Sequence, residues 1–207
     1  MEKPRKIVSA GYDRITEIYA RERDLFDNRE MLKKFSDFLP DHAEVLDLGC
    51  GSALPVGKHL VECGYTYTGV DISSSMLKLA RENLPDSKFF LMDITELDFE
   101  PESFDGVTAF YSIFHVKRNL HDRLFTSLHT ILKPGGCILF SLDNSDWEGV
   151  EDFHGVPMFW SHYEPFYYMD LMNRLEFEIE YQQEIEQNGE THFWIIARKK
   201  QLLLVDF

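Results

Sequence analysis

The chain has 207 residues, 44% hydrophobic and 28% charged, the ordinary range of a globular domain large enough to do without disulfide or metal staples. Its net charge of −15 lacks the basic footprint of a nucleic-acid binder. The three cysteines, Cys50, Cys63 and Cys137, are an odd number without Cys-x-x-Cys spacing, which excludes a disulfide framework and a zinc ribbon and points to a reducing cytoplasm. The longest uncharged apolar run, 106–114, is far short of a bilayer span. No apolar stretch follows the basic residues of the N-terminus, so neither a membrane segment nor a secretory leader is expected. The charge is uneven: residues 143–190 hold thirteen acidic residues and one basic residue, Arg174. A solvated surface explains this; attraction of a cationic substrate is the sharper alternative.

Residues 1–40 read as helical. Tyr12, Ile15, Ile18 and Tyr19 share one face at helical spacing, as do Met31, Leu32, Phe35, Phe38 and Leu39. From Glu44 short strands alternate with helices. Val45–Leu48 is a strand leading into a glycine-rich turn, followed by a helix with Pro55 in its first turn and Gly64 placed to end it. Residues 65–70 form the second strand, and Ser73–Ser75 cap a helix carrying Met76, Leu77, Leu79 and Ala80. Residues 89–92 and 104–110 are the third and fourth strands. A helix with Leu120, Leu124, Leu128, Ile131 and Leu132 inward runs into the turn Lys133-Pro134-Gly135-Gly136, and 137–142 is the fifth strand. Such alternation predicts a parallel sheet covered by helices on both faces. The last segments differ. Residues 176–186 alternate apolar and acidic positions, turn at Asn188-Gly189 and return as 192–198, a hairpin that makes the last strand antiparallel. Residues 201–207 read as a loose tail, and 145–168 as a long loop.

The stretch VLDLGCGSALP (45–55) is a strand, a Gly-x-Gly turn and a helix start. Gly49 and Gly51 let the backbone turn and approach a ligand without a Cβ in the way, and the helix offers free N–H groups to an anion. Asp71, at the end of the second strand, stands where doubly wound folds place an acid for both hydroxyls of a ribose. The dinucleotide pattern Gly-x-Gly-x-x-Gly fails at Leu54. Asp47, two residues before the first glycine, suits an ammonium group better than a pyrophosphate. A ligand with ribose, ammonium and carboxylate is S-adenosylmethionine.

VLDLGCGSALP, YTGVDISSSMLKLAREN (67–83), FFLMDITELDF (89–99), FDGVTAFYSIFHV (104–116) and LKPGGCILFS (132–141) together resemble the successive motifs of class I S-adenosylmethionine-dependent methyltransferases, in the small-molecule, type-11-like branch, over about residues 10–199. The resemblance implies an α/β, Rossmann-like doubly wound sheet of seven strands, order 3-2-1-4-5-7-6 with the last strand antiparallel. An N-terminal helical lid (1–40) would precede a methyltransferase domain (41–200) and the tail (201–207). It implies Gly49 and Gly51 beside the methionine moiety, Asp47 near its ammonium and Asp71 on the ribose. Ile72 and Met76 would pack the adenine, Asp93 and the Ile94 amide would meet its edge, and the main chain at Phe110 and Tyr111 would face the methionine end. Tyr12 and Tyr19 would belong to the lid. The sequence departs from the pattern at Ala53, where a third glycine is usual.

Methyl transfer from a sulfonium asks the protein to align donor and acceptor, exclude water and remove a proton where the acceptor carries one. His115, near the tip of the sheet, is the candidate general base, with a structural histidine as the alternative. Trp160 and His162, in an aromatic-rich segment, are candidate acceptor-pocket residues. Glu151, Asp152, His154 and His162 lack metal-ligand spacing, so no metal is expected. The expected partner is a small-molecule methyl acceptor, without nucleic acid. The rival readings are a non-catalytic S-adenosylmethionine-binding or regulatory protein and an NAD-dependent oxidoreductase; the latter is opposed by Asp47, Leu54 and the absence of a Tyr-x-x-x-Lys pair.

Overall fold

The computed structural model describes residues 3–23 and 26–201. Five strands, β1 (Glu44–Leu48), β2 (Thr66–Asp71), β3 (Lys88–Leu91), β4 (Phe104–Ala109) and β5 (Leu132–Leu142), pair in parallel. A separate hairpin follows, β6 (Trp147–Phe153) and β7 (Val156–His162), and then β8 (Phe177–Gln187) and β9 (Glu190–Lys199) return to the sheet. The sheet order is β3-β2-β1-β4-β5-β9-β8, with β9 antiparallel to β5. Counting β8 and β9 as its sixth and seventh strands, this is the expected seven-stranded order. The helices are α1 (Pro4–Arg23), α2 (Arg29–Ser36), α3 (Val56–Glu62), α4 (Ser74–Asn83), α5 (His121–Ile131) and α6 (Pro165–Arg174). Most of the tail, residues 202–207, lies outside the described residues. Among those described, no helix is long and apolar enough to cross a membrane.

The period-two alternation of the strands sorts side chains between the two faces. Leu46, Leu48, Val107, Ile138, Phe140, Ile195 and Ala197 pack with α5 and α6. Their neighbours in sequence, Val45, Cys137, Leu139, Trp194 and Ile196, pack with α2, α3 and α4 on the opposite face. Strands apolar on both faces are what a sheet covered on both sides requires. Ser73 is the N-cap of α4, its hydroxyl accepting from the Met76 N–H at 3.1 Å, and Gly64, at φ +82°, follows the end of α3.

Two expectations about local structure change. The Lys133–Gly136 turn is instead the irregular start of β5, where the register slips between the pairs Phe104–Leu132 and Gly106–Cys137 and Gly135 takes φ +81°. The segment 145–168 is not a long loop. Trp147 pairs with His162 and Phe153 with Val156 around a turn in which His154 and Gly155 both have positive φ, 54° and 77°. That is the backbone of a two-residue hairpin turn, hidden in sequence because histidine stands where asparagine usually signals it.

A third cluster is formed by Val8, Tyr12 and Ile15 of α1, Met76 of α4, and Val156, Met158 and Phe159 of β7. A Cβ on Gly11 would come within 2.8 Å of Met158 Cε, so the glycine sets how closely α1 approaches the hairpin. Asp13 anchors α1 to the start of α4, its Oδ1 accepting from Ser73 Oγ at 2.7 Å and the Ser75 N–H at 3.0 Å.

On the opposite side His121 is fully buried. Its Nε2 lies 2.9 Å from the Val116 carbonyl, which only accepts, so Nε2 carries the proton and the Tyr168 hydroxyl donates to Nδ1 at 2.8 Å. Tyr168→Phe leaves that nitrogen unpaired in a dry site and should lower unfolding free energy by about 1–3 kcal/mol. Urea denaturation checks it, and an unchanged midpoint would remove the bond from the account of stability.

Candidate functional site

The β1–α3 loop turns through Gly49 (φ +69°), Gly51 (φ +53°) and Ala53 (φ +63°). The Gly49 and Cys50 N–H groups both donate to the Val70 carbonyl, at 2.8 and 3.0 Å, tying the loop to the end of β2. The two glycines are needed for different reasons. A Cβ on Gly49 would collide with Ser112 Cβ at 2.5 Å, whereas one on Gly51 would meet nothing within 4 Å. Gly49 admits the β4 loop; Gly51 presents bare backbone to open space.

That space is a cavity of about 320 Å³ at the carboxyl ends of β1, β2 and β4, the place where open α/β sheets bind ligands. The loops contribute Gly49, Gly51 and Asp71 to its lining, the next layer Ile72, Met76, Asp93 and Ile94, and α1 contributes Tyr12 and Tyr19. Asp47 and Phe110 line a smaller adjoining cleft that shares Tyr19, Gly49, Gly51 and Tyr111 with the first. Eleven positions spread over a hundred residues of sequence are thereby brought to one place.

Asp71 is buried, its Oδ2 accepting from the Gly51 N–H at 2.9 Å and its Oδ1 from the Ser73 N–H at 2.8 Å. Each oxygen keeps a lone pair for a ligand. Burial pushes its carboxyl up to about 6, although these N–H bonds pull the other way. Asp47 is likewise buried and raised to about 6, by burial first, against the hydroxyl bonds from Thr108 and Tyr67, both at 2.7 Å. Asp93 caps the short turn 94–96, with Oδ1 accepting from the Thr95 N–H at 2.9 Å, and Oδ2 lies 3.7 Å from Arg5.

His115 lines the cavity, but both its ring nitrogens are engaged. Nδ1 is 2.7 Å from the Phe159 carbonyl and so donates, which leaves Nε2 to accept from the Tyr12 hydroxyl at 2.7 Å. Burial drops the imidazole to about 4. The ring is neutral at pH 7 and holds Tyr12, and through it α1, against the β4 loop. Trp160 and His162 do not line this cavity. They line a separate one of about 520 Å³ between the β6–β7 hairpin and the start of β9. Trp160 leans on the far side of His115, ring centroids 4.5 Å apart, so the hairpin places it behind the histidine and not beside the glycine loop.

Arg23 and Ser112 were not singled out in the sequence. Arg23, the last residue of α1, reads as a cation at a helix C-terminus. In the fold it is bidentate to Glu190 at 3.0 and 3.2 Å, over the rings of Tyr111 (4.3 Å) and Phe26 (4.4 Å). It lines both the Asp47 cleft and the larger cavity. Ser112 has a buried hydroxyl without a hydrogen-bond partner, at the lining of the first cavity.

Residues 45–136 match the methyltransferase domain family. Among curated proteins, the chain is 32% identical over 121 residues to phosphoethanolamine N-methyltransferase 2 of Caenorhabditis elegans (56% of this chain, 27% of that one). It is 29% identical over 140 residues to demethylmenaquinone methyltransferase of Staphylococcus aureus (64% and 55%). It thus spans only about a quarter to half the length of these relatives. Among solved structures, 1,6-didemethyltoxoflavin-N1-methyltransferase of Burkholderia thailandensis, solved with S-adenosylhomocysteine, superposes with a TM-score of 0.69 at 20% identity, covering 97% of this chain and 92% of that one. At that identity the likeness is one of fold.

Proposed function

We infer, for a chain whose residues 45–136 match the methyltransferase domain family and whose sheet has the order expected of class I, an S-adenosylmethionine-dependent methyltransferase acting on a small molecule in the cytoplasm. The observation that carries the reading is Asp71: a buried carboxylate at the end of β2, beside the open backbone of Gly51, facing a cavity large enough for a nucleoside. The residues present fit the cofactor. Gly51 is a cradle that a side chain would fill, and Ser112 offers a buried hydroxyl with no partner of its own.

In this reading Asp71 takes the two ribose hydroxyls. Ile72 and Met76 pack the adenine, and Asp93 with the Ile94 amide meets its edge. Asp47, with Gly49, Gly51 and the Phe110 main chain, holds the amino-acid end. The bound cofactor supplies an activated methyl group; the protein's own part is alignment and exclusion of water. Tyr12 and Tyr19 close the cavity from α1, and His115 acts by positioning Tyr12. Three unpaired cysteines are in keeping with a reducing compartment. The relatives are named for phosphoethanolamine, demethylmenaquinone and 1,6-didemethyltoxoflavin. Those names agree on a small molecule and on nothing finer.

Calorimetric titration with S-adenosylmethionine, S-adenosylhomocysteine and NADH tests the reading. Saturable binding of the first two and none of NADH is expected. NADH binding alone would overturn the assignment of Asp47, and binding of none would favour a protein that regulates without turnover.

A further inference from the structure

The cavity between the hairpin and β9 is unused by the cofactor reading. Its walls combine two chemistries. Phe114 and Trp160, ring centroids 5.2 Å apart, form an aromatic side, with Trp147 at the mouth. Four carboxylates, Asp143, Asp146, Glu151 and Glu190, face a single guanidinium, Arg23, which is committed to Glu190. Asp146 is engaged by Arg118, and Asp143 Oδ1 by Ser145. The side chain of Glu151, an exposed residue of β6, has neither hydrogen bond nor ion pair among the described residues.

A second observation points the same way. His192 lines the cavity and is 8% exposed. Its Nε2 lies 2.9 Å from Glu190 Oε2. The His192 bond and the Arg23 guanidinium outweigh burial and hold the Glu190 carboxyl at about 2. An ionised carboxylate requires the proton on Nε2, so in the neutral ring Nδ1 is a lone pair, and it is buried without a partner. An open acceptor beside the unengaged Glu151 carboxylate, three further acidic side chains and ring faces asks for a donor-rich cation. A phosphate or carboxylate ligand would meet repulsion there.

The cavity also has the right neighbour. Arg23 borders both it and the Asp47 cleft, and the Tyr111 ring of the cleft meets His192 of the cavity with centroids 4.9 Å apart, so the two are neighbours across Arg23 and Tyr111.

We propose that this cavity is the acceptor site and that the acceptor is an amine on an apolar or aromatic body, its nitrogen toward Glu151 and His192 and its body against Trp160 and Phe114. The proposal rests on the methyltransferase reading above. The amine reacts as the free base, any ammonium proton having first gone to a wall carboxylate or to water. Its nitrogen lone pair forms the new bond to the methyl carbon as the carbon–sulfur bond breaks, the bonding pair stays on sulfur, and the positive charge passes to nitrogen. The carboxylates stabilise that charge as it arrives, and the surplus N–H proton leaves by the same route.

The chain has three tryptophans, so the indole N–H signals of ¹⁵N-labelled protein are a direct readout. Trp160 and Trp147 report on the cavity, and Trp194, buried beside Phe110 and Tyr111, serves as reference. Phenethylamine and its uncharged counterpart 2-phenylethanol are titrated with and without saturating S-adenosylhomocysteine. Saturable shifts of Trp160 and Trp147 with phenethylamine are expected, retained in the presence of S-adenosylhomocysteine and at least fivefold weaker for the alcohol. Glu151→Gln should weaken the amine at least fivefold and leave the alcohol unchanged. Equal binding of amine and alcohol, no shift from either, or loss of the amine when S-adenosylhomocysteine binds would overturn the amine site while the methyltransferase reading stands. Failure of S-adenosylhomocysteine to bind would overturn that reading, and the acceptor role with it.

Discussion

Asp71→Ala should cost roughly a hundredfold or more in S-adenosylhomocysteine affinity while moving the thermal midpoint by only a few degrees. The affinity loss follows from removing two hydrogen bonds to a charged acceptor, each worth about 1.5–3 kcal/mol. The small stability change is a balance of opposed effects. The carboxylate accepts from the Gly51 and Ser73 N–H groups, and leaving these unpaired costs about 1–3 kcal/mol each. Against that, its ionisation is displaced from 3.8 to about 6 by burial. At neutral pH the empty protein therefore carries a buried charge at a cost on the order of 3 kcal/mol, which alanine relieves. Titration calorimetry and a thermal melt on the same preparation check both halves. Affinity within threefold of the parent protein would remove Asp71 from the ribose. A collapse of the melt would make it a structural staple of the β1–α3 loop.

How much of this was legible in the sequence depends on whether the signal was local. The strand–turn–helix at 45–55 carries its own glycines, and Ser73 announces its own cap, so both were readable. The antiparallel β9 was readable because Asn188-Gly189 is an unambiguous hairpin turn. The β6–β7 hairpin was not, because its turn is His154-Gly155 and β6 carries three carboxylates and is mostly exposed. The hairpin also decides where the candidate acceptor residues stand: His115 lies between the Asp71 cavity and Trp160, while Trp160 and His162 line the second cavity. Arg23 and Asp13 were invisible for another reason. Each looks like an ordinary charge on an amphipathic helix, and its partner, Glu190 or Ser73, is set by tertiary docking of α1 rather than by spacing.

The two buried acids give the site a pH dependence of definite sign. Asp47 and Asp71 both sit near 6, raised by burial. For the empty protein these groups favour folding most fully below about 3.8, and that contribution is lost as pH rises through about 6, where the fold must accommodate their charges. Cofactor binding runs the other way, because an ammonium and two ribose hydroxyls reward only the ionised carboxylates. Affinity for S-adenosylhomocysteine should therefore climb between pH 5 and pH 7, by about tenfold for one acid and towards a hundredfold for two. Nearby groups do not mask this. Cys50 and Tyr67, beside Asp47, are pushed well above their ordinary values and stay neutral. His115 has already lost its proton near 4. Asp13, an exposed residue next to Asp71, is held below its ordinary value, partial desolvation being outweighed by the Ser75 N–H and the hydroxyls of Ser73–Ser75, and is ionised throughout. Kd measured at half-unit steps gives the proton count as a slope, two at the acid end where both groups act. Asp47→Asn should reduce that slope to one, since the amide keeps the shape between Thr108 and Tyr67 and removes the titration. A flat profile in the parent protein would mean that neither acid meets the ligand as a charge. A slope unchanged in Asp47→Asn would leave Asp71 in place and move the ammonium away from Asp47.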